Sequence, residues 1–488
     1  MPGGLETGSR VIPRRARIFL LGCFAVSLWG AFSPGWGWLA WLAPAPYFLA
    51  LAGVGLKRGV LWGLLGGLTF FALELSPVLA LWPFLGALSV PAWLLLSAYG
   101  ALFFATLGGL VGWRDSPPLW AGAWALLEAA RAAGPLGFSF GSLPVALVGT
   151  PFLAAAAWGG AIPLSLAVAW TGAWLARGLR RPQLLPLALL GPAALGLLAL
   201  LSPPPEGAGE LQVALVQPGF LQEEKLNRDD LPRLLARYRE LLSGIQGPVD
   251  LVVVPENALP AFLLDEPQCL APFQETARRL SCRVLVGTGV RRAERVFNSV
   301  ILIGPQGGVE GIYDKVRLVP FGEYLPARGL WQALGLGPLL ERLLPYDLSP
   351  GTGPRPLGPY GVIICFESQF SSPARVLAAT GAQLLLLPTN DAWFGRTRFP
   401  WEHFAMGALR AAETGRAFLQ AAQTGITGGF EGRGRPMGTL PAWGEGVLEL
   451  TVPLYRGRTP FVRWGDMPAL ALAGALALLG AVRRFSGR

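Results

Sequence analysis

The apolar residues are not spread evenly along the chain. Residues 16–201 are almost free of charge, residues 205–465 hold most of the acids and bases, and 467–482 are apolar again. A helix that crosses a bilayer needs about 20 apolar residues, and by that length the pattern predicts about eight membrane helices. They fall at 16–33, 36–55, 59–82, 89–113, 118–134, 153–177, 183–201 and 466–483. Residues 1–201 then form a membrane domain, 202–209 (Ser-Pro-Pro-Pro-Glu-Gly-Ala-Gly) a short stiff linker, and 210–460 a water-soluble domain. Residues 466–488 supply a closing helix and a basic tail.

In the soluble part, short β-branched or leucine-rich runs alternate with amphipathic stretches. The runs predict strands at 211–216, 250–254, 283–288, 297–303, 361–364, 383–388 and 417–422. Helices are predicted near 229–243, 271–280, 372–380 and 401–415. Such alternation implies an α/β sheet with helices packed on it and functional groups gathered at strand ends. Two strands end in reactive chemistry. Leu251-Val252-Val253-Val254 runs into Pro255-Glu256, and Gly361-Val362-Ile363-Ile364 runs into Cys365.

Composition supports the membrane reading. The chain has 488 residues and only 14% are charged, against roughly 25% in a soluble globular protein. The net charge is +10, but much of the excess sits beside apolar segments, which points to topology and lipid headgroups rather than nucleic acid. Arg10 to Arg17, Lys57 and Arg58, Arg114, Arg177 to Arg181, and Arg483 to Arg488 fall on alternate connections, with Arg131 the exception. By the positive-inside rule both termini lie in the cytoplasm and the soluble domain lies outside, in the periplasm of a bacterium with two membranes. Within the spans, Glu128 and Arg131 are three apart and are expected to pair across one helix face. Cys269 and Cys282 flank a short helix and form either a disulfide or two core thiols. No zinc spacing is present and His403 is the single histidine, so no metal or other cofactor is expected.

The chemistry follows from what a thiol lacks. Only the thiolate attacks efficiently, so Cys365 needs a base. His403 is the one imidazole available, while Glu256 qualifies if burial raises its pKa. Lys315 stands out in a chain whose other lysines are Lys57 and Lys225. A compact ammonium suits a developing oxyanion, and Glu323 is placed to orient it. The stretch from Gly329 to Tyr346 is rich in leucine and poor in charge. Trp331, Leu339 and Leu340 would belong to a lid that dips into the outer leaflet and touches a lipid substrate.

These residues carry a resemblance. Glu256 after Pro255, Lys315 ahead of Val319-Pro320-Phe321-Gly322-Glu323-Tyr324, and Cys365-Phe366-Glu367 after an apolar strand resemble the nitrilase, or carbon–nitrogen hydrolase, superfamily. With membrane spans on both sides, the chain is similar to the apolipoprotein N-acyltransferase branch. Val216-Gln217-Pro218, Thr389-Asn390-Asp391-Ala392-Trp393-Phe394-Gly395 and Arg410-Ala411-Ala412-Glu413-Thr414-Gly415-Arg416 match as well. The resemblance implies an α-β-β-α sandwich with Glu256 as base, Lys315 as oxyanion stabiliser and Cys365 as nucleophile, supported by Glu323, Glu367, Phe366 and Asn390. Where the family often has Tyr after the nucleophile this chain has Phe366, and Leu226 stands where it has a Trp. The implied donor is a phospholipid of the phosphatidylethanolamine type, the acceptor a diacylated apolipoprotein, and a membrane-embedded monomer is expected. Two other readings stay open: a membrane-tethered amidase with water as acceptor, and a transporter or receptor without chemistry, which would call for more intramembrane charge than this chain carries.

Overall fold

The computed structural model describes residues 12–335, 337 and 344–482. Its apolar half contains helices Arg14–Ala31, Leu56–Glu74, Ser89–Trp113, Pro117–Arg131, Ile162–Gly178, Leu190–Leu200 and Met467–Val482. Among the described residues, three helical segments are long and apolar enough to cross a membrane: Leu56–Glu74, Ser76–Trp113 and Pro182–Leu200. Proline and glycine shorten others. The expected span 36–55 is a 3₁₀ turn, Gly37–Trp41, followed by helix Pro44–Leu51. The span expected at 153–177 breaks at Gly160, whose φ is +67°, and its main helix is Ile162–Gly178. Pro186 keeps Pro182–Leu189 in 3₁₀ form before the α-helix begins at Leu190.

Helices Leu56–Glu74 and Ser89–Trp113 touch backbone to backbone. A Cβ on Gly63 would lie 2.4 Å from the Phe104 carbonyl oxygen, and one on Gly108 would lie 2.4 Å from that of Gly59. Small residues four apart give this close approach where lipid removes the hydrophobic drive. Glu128 and Arg131 do not pair as expected. Arg131 donates to the carbonyls of Phe138 and Phe140 and to Ser142, while Glu128 accepts from the Leu143 amide and Ser165. Both therefore stitch the chain after the helix end back onto the bundle.

The soluble half is an α-β-β-α sandwich. Its strands are β1 (Glu206–Gln217), β2 (Leu251–Val254), β3 (Arg283–Arg292), β4 (Arg295–Ile303), β5 (Val309–Asp314), β6 (Tyr360–Val362), β7 (Leu384–Thr389), β8 (Ala417–Ala422), β9 (Thr427–Phe430), β10 (Pro436–Leu440) and β11 (Gly446–Arg456). One sheet has the order β11-β1-β2-β3-β4-β5, the other β10-β9-β8-β7-β6. Period-two alternation decides what each face buries. Val213, Leu215, Leu251, Val253, Ile364, Leu384 and Leu386 meet between the sheets. Ala214, Val216, Val252 and Val254 pack outward against helices Leu231–Ser243 and Pro267–Leu280. On the second sheet the outward residues Ile363, Leu385, Leu387 and Phe418 join helices Ser371–Ala379 and Phe399–Thr414, and that core continues without a break into Phe24, Phe70 and Trp124 of the membrane half.

One sequence expectation changes, and one open alternative is decided. The stretch 202–209 is only partly a linker, because β1 starts at Glu206 and pairs at once with Arg456 of β11. Cys269 and Cys282 are both buried free thiols, the first in the helix and the second at its end, so no disulfide joins them.

The glycine contact makes a prediction. Gly108→Ala should lower the unfolding free energy by about 1–3 kcal/mol, the usual cost of an overpacked contact. Gly22→Ala, where nothing lies within 4 Å of the new Cβ, should be neutral or slightly stabilising. Thermal unfolding in detergent measures both.

Candidate active site

Parallel strands deliver their ends to one edge of the sandwich. β2 pairs in parallel with β1 and β3, and β6, β7 and β8 run parallel in the facing sheet. Glu256 leaves the end of β2, Cys365 follows β6, Thr389 closes β7 and Gln423 follows β8. The ladder beyond β6 continues for one bond, from the Ile363 amide to the Leu386 carbonyl at 2.9 Å. The chain then turns at Cys365, a non-glycine residue with φ +48°, into the 3₁₀ turn Cys365–Gln369.

Lys315 follows β5 and is almost wholly buried. Its Nζ donates to Glu256 Oε1 at 3.1 Å and to Glu323 Oε1 at 3.0 Å. Asn298 of β4 reaches the same two oxygens through Nδ2, each at 2.7 Å. Glu323 Oε2 accepts the Val319 amide at 2.7 Å and so closes its own loop around the lysine. Burial alone would raise the carboxyl pKa of Glu256, as the sequence suggested. The Lys315 charge and the Asn298 hydrogen bond outweigh it and hold the group below its ordinary value. Burial likewise opposes the Lys315 ammonium, but the charges of Glu256 and Glu323 prevail and raise it.

The Cys365 thiol is partly exposed to the cleft, yet burial pushes its pKa up, Glu256 adds to the rise, and Lys315 works against it. At rest the site therefore holds a protonated thiol beside an ionised carboxylate. That arrangement can move a proton from sulfur to Glu256 as a new S–C bond forms, with the ammonium close to any charge left on oxygen.

Glu367 binds the two loops to each other. It is fully buried and accepts from the amides of Val316, Arg317 and Ile364 at 2.9, 3.0 and 2.8 Å, and from Tyr313 Oη at 3.1 Å. Phe366 stacks edge-on against Phe370, which lies under the Arg317 guanidinium. Asn390 caps the turn Asp391–Phe394 and donates to Gln222 at 2.8 Å, away from the reacting groups. Trp331 sits on the short helix Arg328–Ala333, donates to the Pro326 carbonyl and packs edge-on against Phe321. Leu330, Leu334 and Phe321 around it are exposed, and Leu339 and Leu340 lie outside the described residues.

His403 does not face the sulfur as a base would. Its Nε2 lies 3.0 Å from the Cys365 carbonyl oxygen and its Nδ1 2.7 Å from Asp391 Oδ1. Cys365, Asp391 and His403 do bring potential metal ligands within 4.8 Å of one another, but both ring nitrogens are already engaged. Three other groups at the site were hard to foresee from the chain alone. Asn298 lies inside a strand, Gln423 donates to the Glu256 carbonyl at 3.1 Å, and buried Lys225 reaches the same carbonyl at 3.3 Å. The scarcity of lysine in an arginine-rich chain was the available signal for Lys225.

Residues 212–459 match the carbon–nitrogen hydrolase family, and residues 24–174 match the apolipoprotein N-acyltransferase N-terminal domain. The chain is 33% identical to an apolipoprotein N-acyltransferase of Geobacter metallireducens, with 92% of each protein covered. It is 32% identical to one of Azotobacter vinelandii, covering 93% of this chain and 97% of that one. A solved carbon–nitrogen hydrolase from Helicobacter pylori is similar at 15% identity and a TM-score of 0.38, covering 56% of this chain and 96% of that one.

Lys225 generates a pH prediction. Burial lowers its pKa to about 7, against partial support from Glu256 and Cys365. Between about 7 and about 10.4 the unfolded chain binds more protons than the folded one, so this residue makes stability rise with pH. Lys225→Met should be more stable than the parent below pH 7, and the advantage should shrink as pH rises toward 10. Melting curves across that range measure it; an advantage independent of pH would count against the assignment.

Proposed function

The chain belongs to the apolipoprotein N-acyltransferase family, and from that premise we propose how its residues carry the reaction. It is an acyltransferase that modifies lipoproteins, acting at the membrane. In the first half-reaction Cys365 Sγ attacks the ester carbonyl of a phospholipid of the phosphatidylethanolamine type. Its proton passes to Glu256, and Lys315 stabilises the tetrahedral oxyanion. The ester C–O bond breaks and the departing lysolipid oxygen takes the proton from Glu256. In the second half-reaction the α-amine of a diacylglyceryl-cysteine attacks the thioester. An amine proton passes to Glu256, the C–S bond breaks, and the sulfur is reprotonated.

The observation that carries this reading is the ionised Glu256, fixed by Lys315 and Asn298 and close enough to Cys365 to shift its titration. Glu323 keeps the ammonium centred, and Glu367 holds its loop against the nucleophile's turn. A tie to the membrane half favours a lipid donor: Ser139 donates its amide to Gln369 Oε1 and its hydroxyl to the Gln369 carbonyl, both at 3.0 Å. Exposing the acyl chain to water would cost roughly 0.8 kcal/mol per CH₂, so the thiol gains from lying at the lipid surface. Phe321, Leu330, Trp331 and Leu334 would meet the leaflet.

Beside the three segments long enough to cross, shorter apolar helices such as Gly37–Leu51 and Met467–Val482 fall below the length rule, and a frame of about eight spans takes them and the broken segments as crossings too. The catalytic unit 210–460 is then periplasmic, held by the inner membrane between 1–201 and 466–488, with both termini cytoplasmic and the protein a monomer.

Intact-mass analysis after incubation with phospholipid tests the reading. The parent should gain one acyl group on Cys365 and pass it to the amine of an added diacylated lipopeptide. Cys365→Ala should gain none, and Glu256→Gln should acquire it at least about a hundredfold more slowly, the usual scale of general-base catalysis. An adduct that persists in Cys365→Ala, or release of free fatty acid without lipopeptide acylation, would contradict it.

A further inference from the structure

The mechanism above leaves one buried titratable pair unused, and it lies against the backbone of the nucleophile. His403 and Asp391 have side chains only 6% and 3% exposed. A neutral imidazole has one donor and one acceptor nitrogen. Here both ring nitrogens face acceptors, the Asp391 carboxylate at 2.7 Å and the Cys365 carbonyl at 3.0 Å. The alternative is a proton on Asp391, and the site disfavours it. Asp391 Oδ1 already accepts from Thr389 Oγ1 at 3.2 Å, and Oδ2 is sealed from solvent with no hydrogen-bond partner to receive a carboxyl hydrogen.

Cys365 adds an independent observation. Its φ of +48° is a left-handed conformation that is strained for a non-glycine residue and persists only where surroundings enforce it. On the amide side, Glu367 holds Ile364 and donates its own amide to the Ile364 carbonyl at 3.1 Å. On the carbonyl side of Cys365 the partner is His403.

We propose that His403 is held as an imidazolium against Asp391 and serves as a positioning residue for the nucleophile, fixing the left-handed turn through the Cys365 carbonyl and setting a sealed positive charge beside the sulfur. Helix Phe399–Thr414 supplies the imidazole and the turn after β7 supplies the carboxylate, so two elements grip the turn at Cys365 from behind. The charged groups that face it are Asp391 directly and Glu256 across the cleft, and both favour the protonated ring. The adjacent Glu402 is engaged by Arg398 at 3.0 Å instead. Around the sulfur, the charges of Glu256 and Asp391 oppose thiolate formation, while Lys315, Lys225 and the Thr389 hydroxyl favour it; a positive ring at His403 would offset Asp391.

The inference rests on Cys365 being the nucleophile, which the acyl-adduct experiment tests separately. Because the chain has one histidine, ¹⁵N-histidine labelling of the full-length protein, purified through a histidine-free tag, reports His403 alone. Both ring nitrogens should be protonated at pH 7, and Asp391→Asn should make the ring neutral there. A neutral ring in the parent at pH 7 would overturn the proposal. Iodoacetamide labelling of the Cys365 peptide, read by mass spectrometry, supplies the second arm. His403→Gln should slow alkylation at least about tenfold at neutral pH, the change expected for a thiol pKa raised by one unit, with the profile displaced to higher pH. A folded variant with the parent's rate and profile would overturn it, since a purely structural role moves the melting temperature and not the thiol's titration. If His403→Gln does not fold, Asp391→Asn and the parent's nitrogen signals decide.

Discussion

An ammonium ion sealed between two carboxylates is the constraint on which the site depends. Leaving water costs each ion several kcal/mol, and attraction repays this only where geometry is close and the remaining hydrogen-bonding capacity is filled. Lys315 meets that condition through Glu256 and Glu323, with Asn298 bridging the same two oxygens. The consequence is chemical as well as structural. Burial alone would raise the pKa of the Glu256 carboxyl, and the Lys315 charge with the Asn298 hydrogen bond holds it below its ordinary value instead. In the mechanism we propose, the lysine thereby prepares the glutamate to act as a base before it meets any oxyanion.

Around that pair the fold works as a clamp with two sides. Glu323 closes the Lys315 loop, Glu367 ties that loop to the turn after β6, and helix Phe399–Thr414 braces the turn from behind. The same helix is shared with the membrane half. Arg398, just before it, forms ion pairs with Glu402 and with Glu74 at the end of helix Leu56–Glu74, and donates to the Trp29 carbonyl at 2.6 Å. The outer layer of one sheet is thus also the contact layer for the membrane helices. Through helix Phe399–Thr414, and through the Ser139 contacts with Gln369, the turn at Cys365 is tied to the membrane half.

Much of this was legible in the chain. Strand-end positions for Glu256 and Cys365 follow from apolar runs that stop at a reactive residue, and Lys315 was conspicuous where arginine is the usual cation. Less legible were effects that need three dimensions. The depressed titration of Glu256 depends on Lys315 and also on Asn298, a polar residue inside strand β4. The use of His403 on a carbonyl rather than a sulfur depends on the turn at Cys365. Glu128 and Arg131 have the right spacing to pair, but the chain after the helix offers backbone partners that win. Hydropathy overstated helix length at 36–55 and 153–177 because it does not register the 3₁₀ turn Gly37–Trp41 or the left-handed Gly160. The glycine contacts between Leu56–Glu74 and Ser89–Trp113 carry a four-residue spacing that an apolar average conceals.

A double-mutant cycle between Glu256→Gln and Lys315→Met, read by equilibrium unfolding at neutral pH, tests the central interaction most directly. A buried, mutually dependent pair predicts a coupling energy of about 1.5 kcal/mol or more, with the double variant more stable than Lys315→Met alone because no unpaired carboxylate remains at 256. Costs that add to within about 0.3 kcal/mol would contradict it, because the two side chains would then be acting independently.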